Sequence, residues 1–153
     1  MSNKKLETEM KKGILRLVLV IGGFITLNSA SAQIADTVAS QCAKHLESQF
    51  ISDGQQYRAL LMNSEETAEF HTTLYGGTIY RIAACSGLTD GNLVFSVYDS
   101  ERNLLFTNSE FKNAPFWDFK ITNTIDCVIE AKLSGSAQGS GRAVLLIGFK
   151  QQK

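Results

Sequence analysis

The sequence predicts an all-β protein, an antiparallel β-sandwich of about eight strands with one N-terminal helix. Three observations predict this fold. Residues 55–153 alternate between apolar and polar side chains with a period of two, the repeat of a strand. Turn residues such as Gly, Asn and Asp divide this part into short runs. Only residues 33–50 repeat apolar side chains every four positions, the spacing of a helix face.

Residues 1–32 have the three parts of a secretory signal peptide. An apolar, uncharged run extends from Leu17 to Leu27, and small residues follow at Ala30–Ala32. A basic start precedes them, made of Lys4, Lys5, Lys11, Lys12 and Arg16. The apolar run is shorter than the roughly 20 residues that cross a bilayer, so no stable membrane span is expected after cleavage. We expect a chain that starts at Gln33 and is secreted or periplasmic.

Removal of this leader changes the charge balance. The whole sequence has 15 basic and 15 acidic residues, and the leader holds five of the former and two of the latter. The remaining 10 basic and 13 acidic residues give a net charge of about −3. This balance disfavours nucleic acid and anionic lipid as partners, since both attract positively charged proteins.

The first predicted element is a helix over residues 33–50. Its apolar stripe consists of Ile34, Val38, Cys42, Leu46 and Phe50. Ser52-Asp53-Gly54 then provides a stop and a turn, because Gly tolerates the backbone angles that end a helix. Residues 33–54 therefore form a helix-and-turn unit ahead of the sandwich, which occupies residues 55–153.

The period of two begins at Tyr57 and continues to the last predicted strand. That strand, Ala143–Phe149, is apolar on both sides and follows a flexible loop rich in Gly and Ser at 135–141. The other clear strands are 68–74, 80–85, 93–98, 104–107, 117–121 and 125–133. Strands of this length with turn signals between them are typical of a sandwich or barrel rather than a parallel α/β sheet.

The connection at Gly76-Gly77 allows two arrangements. A three-residue hairpin places Leu74 opposite Tyr80, which keeps the apolar residues of both strands on one face. Alternatively, the two glycines form an arch that carries the chain from one sheet to the other. A tight two-residue hairpin is excluded, because it would bring Phe70 to the face of Arg81.

Part of this pattern resembles a known family. The segment Leu74–Ile82, followed by Val97-Tyr98-Asp99, a polar turn and Leu104-Leu105, is similar to the pre-peptidase C-terminal domain. The resemblance covers roughly residues 67–149 and implies a jelly-roll-like β-sandwich with an accessory role outside the cytoplasm. It supplies no active-site residues, and the helix and three cysteines depart from it. The chain also resembles small exported proteins of Gram-negative bacteria.

The sequence does not predict an enzyme. His45 and His71 are the only histidines, and a hydrolytic triad would need one of them beside a nucleophile and a carboxylate. No Gly-x-Ser-x-Gly motif is present, and no Cys or His spacing typical of zinc sites. We interpret His71 as a solvated strand residue and expect no cofactor.

One turn superficially imitates a calcium loop. Asp99, Glu101 and Asn103 have the alternating spacing of such a loop, but its Gly and its distal Glu are missing. Asp and Asn also bond to their own backbone in turns, which explains the same residues without a metal. We predict no metal site, with calcium at this turn as the alternative.

Aromatic residues are concentrated between positions 106 and 119. Trp117 and Phe119 are two apart and so share a face, which we assign to the core. Phe111 and Phe116 flank residues 112–115 and are the candidates for exposed rings that contact a sugar or a partner protein. Together with His71 they are the candidates for a binding site.

The three cysteines permit one bridge in an oxidising compartment. Cys85 has the opposite parity to Tyr80 and Ile82, which directs it away from the core. Cys42 lies on the apolar stripe of the helix, so a helix packed on the outer face of that sheet would bring the two together. We predict Cys42–Cys85. Cys85–Cys127 is the alternative, and three reduced thiols are also compatible with the sequence.

These observations favour a non-enzymatic, exported β-sandwich that acts as a binding or accessory protein of the cell envelope or secretome. Its partner would be a protein or glycan of the envelope. Two other functions stay open. One is a small secreted hydrolase without a visible motif, and the other is an inhibitor or chaperone-like subunit of a secreted enzyme.

Overall fold

The computed structural model describes residues 37–135 and 139–151, so the predicted leader lies outside the described residues. Residues 37–43 are helical, and a 3-10 turn follows at Lys44–Leu46. A second 3-10 turn spans Asn108–Phe111. The strands are β1 (Ile51–Ser52), β2 (Tyr57–Leu61), β3 (Thr67–Leu74), β4 (Thr78–Cys85), β5 (Leu93–Asp99), β6 (Leu104–Thr107), β7 (Phe116–Ile121), β8 (Ile125–Leu133) and β9 (Gly141–Gln151).

The strands form two sheets in which every pair is antiparallel. In sheet A, β9 lies between β4 and the short strands β1 and β2, and β7 follows β4 at the far edge. Sheet B has the order β3-β8-β5-β6. From β2 onward, only β5 and β6 are consecutive strands within one sheet, so all other connections cross between sheets. This is the order of a jelly roll, and the predicted fold class is confirmed.

The core lies between the two sheets. Sheet B contributes Leu93, Phe95 and Val97 from β5 together with Ile129 and Ala131 from β8, and all five are almost completely buried. Facing them from sheet A are Tyr80, Ile82, Ala84, Ala143, Leu145 and Ile147. These residues alternate with outward-facing ones along each strand, as a period of two requires.

The connection between β3 and β4 is an arch, and the hairpin with Leu74 opposite Tyr80 is wrong. β3 pairs with β8 in sheet B, whereas β4 pairs with β7 and β9 in sheet A. Gly76 stands so close to the neighbouring β7–β8 connection that a Cβ atom would lie 2.7 Å from the Thr122 carbonyl oxygen. The arch is bound to that connection by a hydrogen bond from the Gly77 amide to the Ile121 carbonyl, 2.9 Å.

The helix is shorter than predicted, and the four residues of the predicted stripe that lie in the described part are nevertheless buried. The α-helix ends at residue 43 instead of 50, and Glu47 has a positive φ of 38° that breaks the helical course. Val38, Cys42, Leu46 and Phe50 are all buried. The stripe is therefore an apolar surface carried by a helix, a 3-10 turn and an irregular turn in succession.

This N-terminal segment covers the outer face of sheet A. Val38, Ala39, Cys42 and Leu46 pack in a second apolar cluster against outward-facing residues of β4 and β9. Those residues are Ala83, Cys85, Val144 and Leu146. Cys42 and Cys85 form a disulfide with their α-carbons 5.7 Å apart, the pairing that the parity of the strands favours. Cys127, on β8 of sheet B, is a free cysteine that is buried between the two sheets.

Arg81 holds the end of the segment in place. Its side chain lies between the rings of Phe50 and Phe116, with the guanidinium carbon 4.5 and 4.3 Å from the ring centroids. The guanidinium donates two hydrogen bonds to Asp118, 2.6 and 2.9 Å, and pairs with Glu47 at 3.0 Å. It also donates to the His45 carbonyl oxygen at 3.1 Å. Together these contacts hold residues 45–50 against the sheet. The α-helix therefore does not continue beyond residue 43.

Loss of the Cys42–Cys85 bridge will destabilise the domain. The bridge closes a loop with a sequence separation of 43, which corresponds to about 3–4 kcal/mol of unfolding free energy in the chain-entropy model. Urea unfolding of the oxidised chain and of the Cys42→Ser/Cys85→Ser variant measures the difference. Reductant should lower the midpoint of the parent chain and leave that of the variant unchanged. Equal midpoints for the oxidised and reduced parent chain would contradict the bridge.

Glu47 will contribute to stability only above the acid range. A hydrogen bond from Gln49 and the Arg81 guanidinium hold the pKa of Glu47 below its ordinary range. A carboxyl whose pKa is lower in the folded state stabilises the fold above its unfolded pKa, about 4.3, and loses that effect as pH falls through the folded pKa. Glu47→Gln should therefore be less stable than the parent at neutral pH, and the difference should shrink below about pH 4.

Chemical unfolding across this pH range tests the expectation. Glu65→Gln is the matched control, since the described residues show no ion pair at the Glu65 carboxylate. A difference between Glu47→Gln and the parent that stays constant with pH would mean that the Arg81 pair does not lower the pKa of Glu47.

Candidate binding surfaces

The two histidines lie in different surroundings. His45 Nε2 is 3.0 Å from Asp90 Oδ1, and its ring lies against Phe116 with centroids 5.6 Å apart. No hydroxyl or thiol nucleophile is bonded to it in the described part of the chain. His71 projects from the outer face of β3 and is exposed. The described residues contain no nucleophile hydrogen-bonded to either imidazole.

His71 borders a shallow depression of about 480 Å³ on the outer face of sheet B. Thr73 and Asp126 lie beside it, and the Thr73 hydroxyl donates to the Asp126 carboxylate at 2.6 Å. Arg102 forms another wall, and it is held by Glu69 at 2.8 Å and Glu130 at 2.7 Å. The charged and polar groups of this depression are therefore already engaged with one another.

The carboxylate of the predicted calcium turn is already bonded to the chain. Asp99 Oδ1 accepts hydrogen bonds from the Glu101 amide at 2.9 Å and the Asn103 amide at 2.8 Å. Asp99 Oδ2 accepts from the Asn103 side chain at 2.8 Å. These hydrogen bonds, the Asn103 side chain first, lower the pKa of Asp99. The turn chemistry therefore accounts for all three residues, and Asn103 presents an amide nitrogen as donor rather than a ligand oxygen.

Cys127 is the third cysteine and sits between the sheets. Burial raises the pKa of its thiol, and the charges of Asp126 and Asp99 raise it further. The thiol therefore stays protonated at neutral pH, which makes it a poor nucleophile and a poor metal ligand. Among residues 37–135 and 139–151, no group of three His, Cys, Asp or Glu side chains is placed to hold a metal ion.

The two phenylalanines predicted as exposed binding rings do not share a site. Phe116 and Trp117 are consecutive on β7, so they point to opposite faces of sheet A. Phe116 is half-buried beneath Arg81 and His45 on the outer face. Phe111 belongs to the other side, where its ring centroid is 4.2 Å from that of Trp117 and 5.6 Å from that of Phe106. Of the two candidate rings, Phe111 is exposed and Phe116 is half-buried, and they lie on different sides of sheet A.

Phe111 completes an aromatic cluster along the side where β6 and β7 face each other. Phe106 is at its centre, with Phe119 at 5.1 Å and Trp117 at 5.0 Å between centroids. Phe111 remains 43% exposed at the end of this stack. The edge strand β6 adds Leu104 and Leu105, which are 54% and 50% exposed. We call the surface formed by Leu104, Leu105 and Phe111 the β6 side.

The β6 side continues into a cleft between the sheets. The cleft has a volume of about 420 Å³, and Leu105 and Phe119 form part of its wall. Its remaining apolar lining comes from Leu74, Val97, Ile121 and Ile125. The exposed side chain of Leu105 thus forms part of the wall of an apolar cleft, and exposed apolar surface of this kind is typical of a site that binds another molecule.

Asn108 fixes the position of Phe111 and was not identified from the sequence. Its side chain is completely buried. The side-chain oxygen accepts from the Phe95 amide at 2.9 Å, and the side-chain nitrogen donates to the carbonyl oxygens of Leu93 and Ala114. One amide thus ties β5 to the turn that carries Phe111. An Asn in a polar turn is ordinary, so the sequence contained no signal for this role.

No protein-family model and no curated protein matches the chain. Among solved structures, it is similar to the crystal structure of a periplasmic inhibitor of g-type lysozyme from Aeromonas hydrophila. The two share 10% sequence identity with a TM-score of 0.48, over 63% of this chain and 85% of that one. The resemblance to the pre-peptidase C-terminal domain stays a prediction. In the described part of the chain, no helix is long and apolar enough to span a membrane.

Replacement of Asn108 by Ala will destabilise the fold by about 2–4 kcal/mol, because it leaves the Phe95 amide and the carbonyls of Leu93 and Ala114 without this partner. Asn123→Ala, at an exposed position in the β7–β8 connection, is the control and should have little effect. Urea unfolding measures both variants. Equal stability of Asn108→Ala and the parent would show that this amide does not hold the Phe111 turn.

Proposed function

We propose that this chain is an exported, non-catalytic protein that binds a second extracytoplasmic protein through its β6 side, as an inhibitor or accessory subunit. The observation that carries the proposal is the β6 side itself. Leu104, Leu105 and Phe111 are large apolar side chains exposed at the β6 edge of the jelly roll, and the buried Asn108 amide holds the turn that ends in Phe111.

The chemistry of the β6 side favours a protein partner. Interface centres are rich in aromatic and large apolar side chains and poor in charge, and a few such anchors supply most of the binding energy. Phe111 is stacked on Phe106 with an angle of 10° between the rings, so little conformational freedom would be lost on binding. Covering exposed apolar residues of this kind with a partner removes apolar surface from water, which makes the free energy of binding more favourable.

Two further features support the remaining parts of the proposal. The leader-like residues 1–32 and the Cys42–Cys85 bridge both favour an oxidising compartment outside the cytoplasm. The positions of His45 and His71 favour a non-catalytic role, since each is bonded or solvated without a nucleophile at hand. A small secreted hydrolase finds no support in these positions.

The proposal predicts that a charge on the β6 side abolishes partner binding. Leu104→Glu changes an exposed edge residue, and Leu60→Glu on β2 is its matched control at 55% exposure on another edge strand. The parent and Leu60→Glu, immobilised and exposed to envelope extract, should retain one stoichiometric protein that Leu104→Glu does not. Retention of the same protein by all three, or by none, would contradict the proposal.

The inhibitory form can be tested with a defined enzyme. The Aeromonas protein inhibits g-type lysozyme, so that enzyme is a direct first assay partner. If this chain acts in the same way, the parent and Leu60→Glu should reduce lysozyme turnover, and Leu104→Glu should do so at least about tenfold more weakly, the effect of losing about 1.4 kcal/mol. Inhibition by all three variants alike would place the contact elsewhere on the molecule.

A further inference from the structure

A second concave surface lies on the side of the sandwich where β2 and β3 form the edges. β1 and β2 both pair with β9, but they are separated by residues 53–56, where the Asp53 amide alone continues the pairing by donating to the Ile147 carbonyl at 3.0 Å. This interruption faces the end of β3 in the other sheet. The resulting groove has a volume of about 640 Å³, within the range of small-molecule sites.

Tyrosine side chains form the apolar part of the groove. Tyr75 follows β3 and is 61% exposed. Tyr57 is half-buried, with its ring edge-on to Phe70 at 5.8 Å between centroids. Tyr80 is buried at the base, and its hydroxyl accepts a hydrogen bond from the Tyr75 amide at 3.0 Å. The rings of Tyr57 and Tyr80 are therefore held by the core, and the Tyr75 backbone is tied to Tyr80 while its ring stays open to a ligand.

The polar part of the groove consists of groups that exchange hydrogen bonds with uncharged ligands. Asp53, Gln55 and Gln151 contribute a carboxylate and two amides, and Thr73 and His71 lie on the β3 wall. One oxygen of the Asp53 carboxylate accepts a hydrogen bond from the backbone amide of Gln55 at 2.9 Å, which orients the carboxylate. The Asp53 carboxyl is partly withdrawn from water, and this burial raises its pKa.

The charge of the groove excludes anions as its ligands. None of the described residues that line it is Lys or Arg, and its charged group is the Asp53 carboxylate. Phosphate and sulfate groups are bound in proteins by Arg, Lys or helix N-termini. A purely apolar ligand is also disfavoured, because it would leave the carboxylate and the amides desolvated without partners.

We propose that this groove binds a neutral carbohydrate. A sugar ring has an apolar face, which can stack on an exposed tyrosine, and a rim of hydroxyl groups, which can donate to a carboxylate and exchange hydrogen bonds with amides. Tyr75 provides the ring, and Asp53 with Gln55 provides the paired polar groups. This site is on a different side of the molecule from the β6 side, so it stands independently of the proposed protein partner.

Titration calorimetry with soluble neutral oligosaccharides tests the proposal. The probes are the tetramers of N-acetylglucosamine, of α-linked glucose and of β-linked glucose. Tyr75→Ala removes the exposed ring. Tyr98→Ala is the matched control, since Tyr98 is a half-buried tyrosine of β5 on the outer face of sheet B. We expect at least one tetramer to bind, Tyr75→Ala to weaken that binding by at least about fivefold, and Tyr98→Ala to leave it unchanged.

Three further results would overturn the assignment. Absence of binding to all three tetramers would do so, as would equal binding by the parent and Tyr75→Ala. Binding that weakens strongly as salt is raised would indicate a charged ligand group, since screening acts on charges and leaves neutral contacts intact.

The stability of the Tyr75→Ala variant is the control for this test. An unchanged unfolding midpoint would show that the loss of binding arises in the groove, as expected for a side chain this exposed.

Discussion

Sheet A is apolar on both faces, and most of the structure follows from the need to cover it twice. On β9, Ala143, Leu145 and Ile147 face sheet B, whereas Val144 and Leu146 face the other way. Sheet B covers the first set. The second set would be in water without the N-terminal segment, because no strand of the jelly roll reaches that face. The N-terminal segment thus forms a third layer on sheet A. The Cys42–Cys85 disulfide and the Arg81 contacts hold this layer in place.

The same constraint limits where a ligand or partner can bind. The outer face of sheet A is occupied at the end of β4 by the segment that covers it. On the outer face of sheet B, Arg102 is held in ion pairs with Glu69 and Glu130. The two open sides of the sandwich remain. One, along β6, is apolar and continues into an apolar cleft, and the other is a groove lined with tyrosines and amides. Their chemistry differs, which is why each is assigned a different kind of ligand.

Sequence reasoning succeeded where the alternation of a single strand decides the outcome. The parity of Cys85 against Tyr80 placed it on the outer face of β4, and the stripe of the helix placed Cys42 against the sheet. It failed where a partner strand had to be chosen. Both the hairpin and the arch at Gly76-Gly77 bury Leu74 and Tyr80, so the pattern of burial could not distinguish them.

The candidate surfaces were only partly predictable for a related reason. The spacing of Trp117 and Phe119 was enough to predict their shared core face, but Phe111 lies in a 3-10 turn outside any strand, so alternation could not place its ring. The helix end depends on Arg81, a residue far along the chain that captures Glu47. The tyrosine groove combines residues as distant in the sequence as Asp53 and Gln151. A site assembled from such distant positions has no local sequence motif from which it could be predicted.

The jelly-roll order has a consequence for how the chain acquires its fold. Apart from the β5–β6 hairpin, every strand pair of the sandwich joins segments separated by at least one other strand, so nearly all pairing is long-range. Chains with such high contact order fold slowly, in about milliseconds to seconds for small domains. The strand β9 occupies the middle of sheet A and binds β1, β2 and β4. Sheet A can therefore be completed only after residues 141–151 are available. Until then β1 and β2 have no partner strand, and β4 is paired on its β7 edge alone, so these edges are open to other chains.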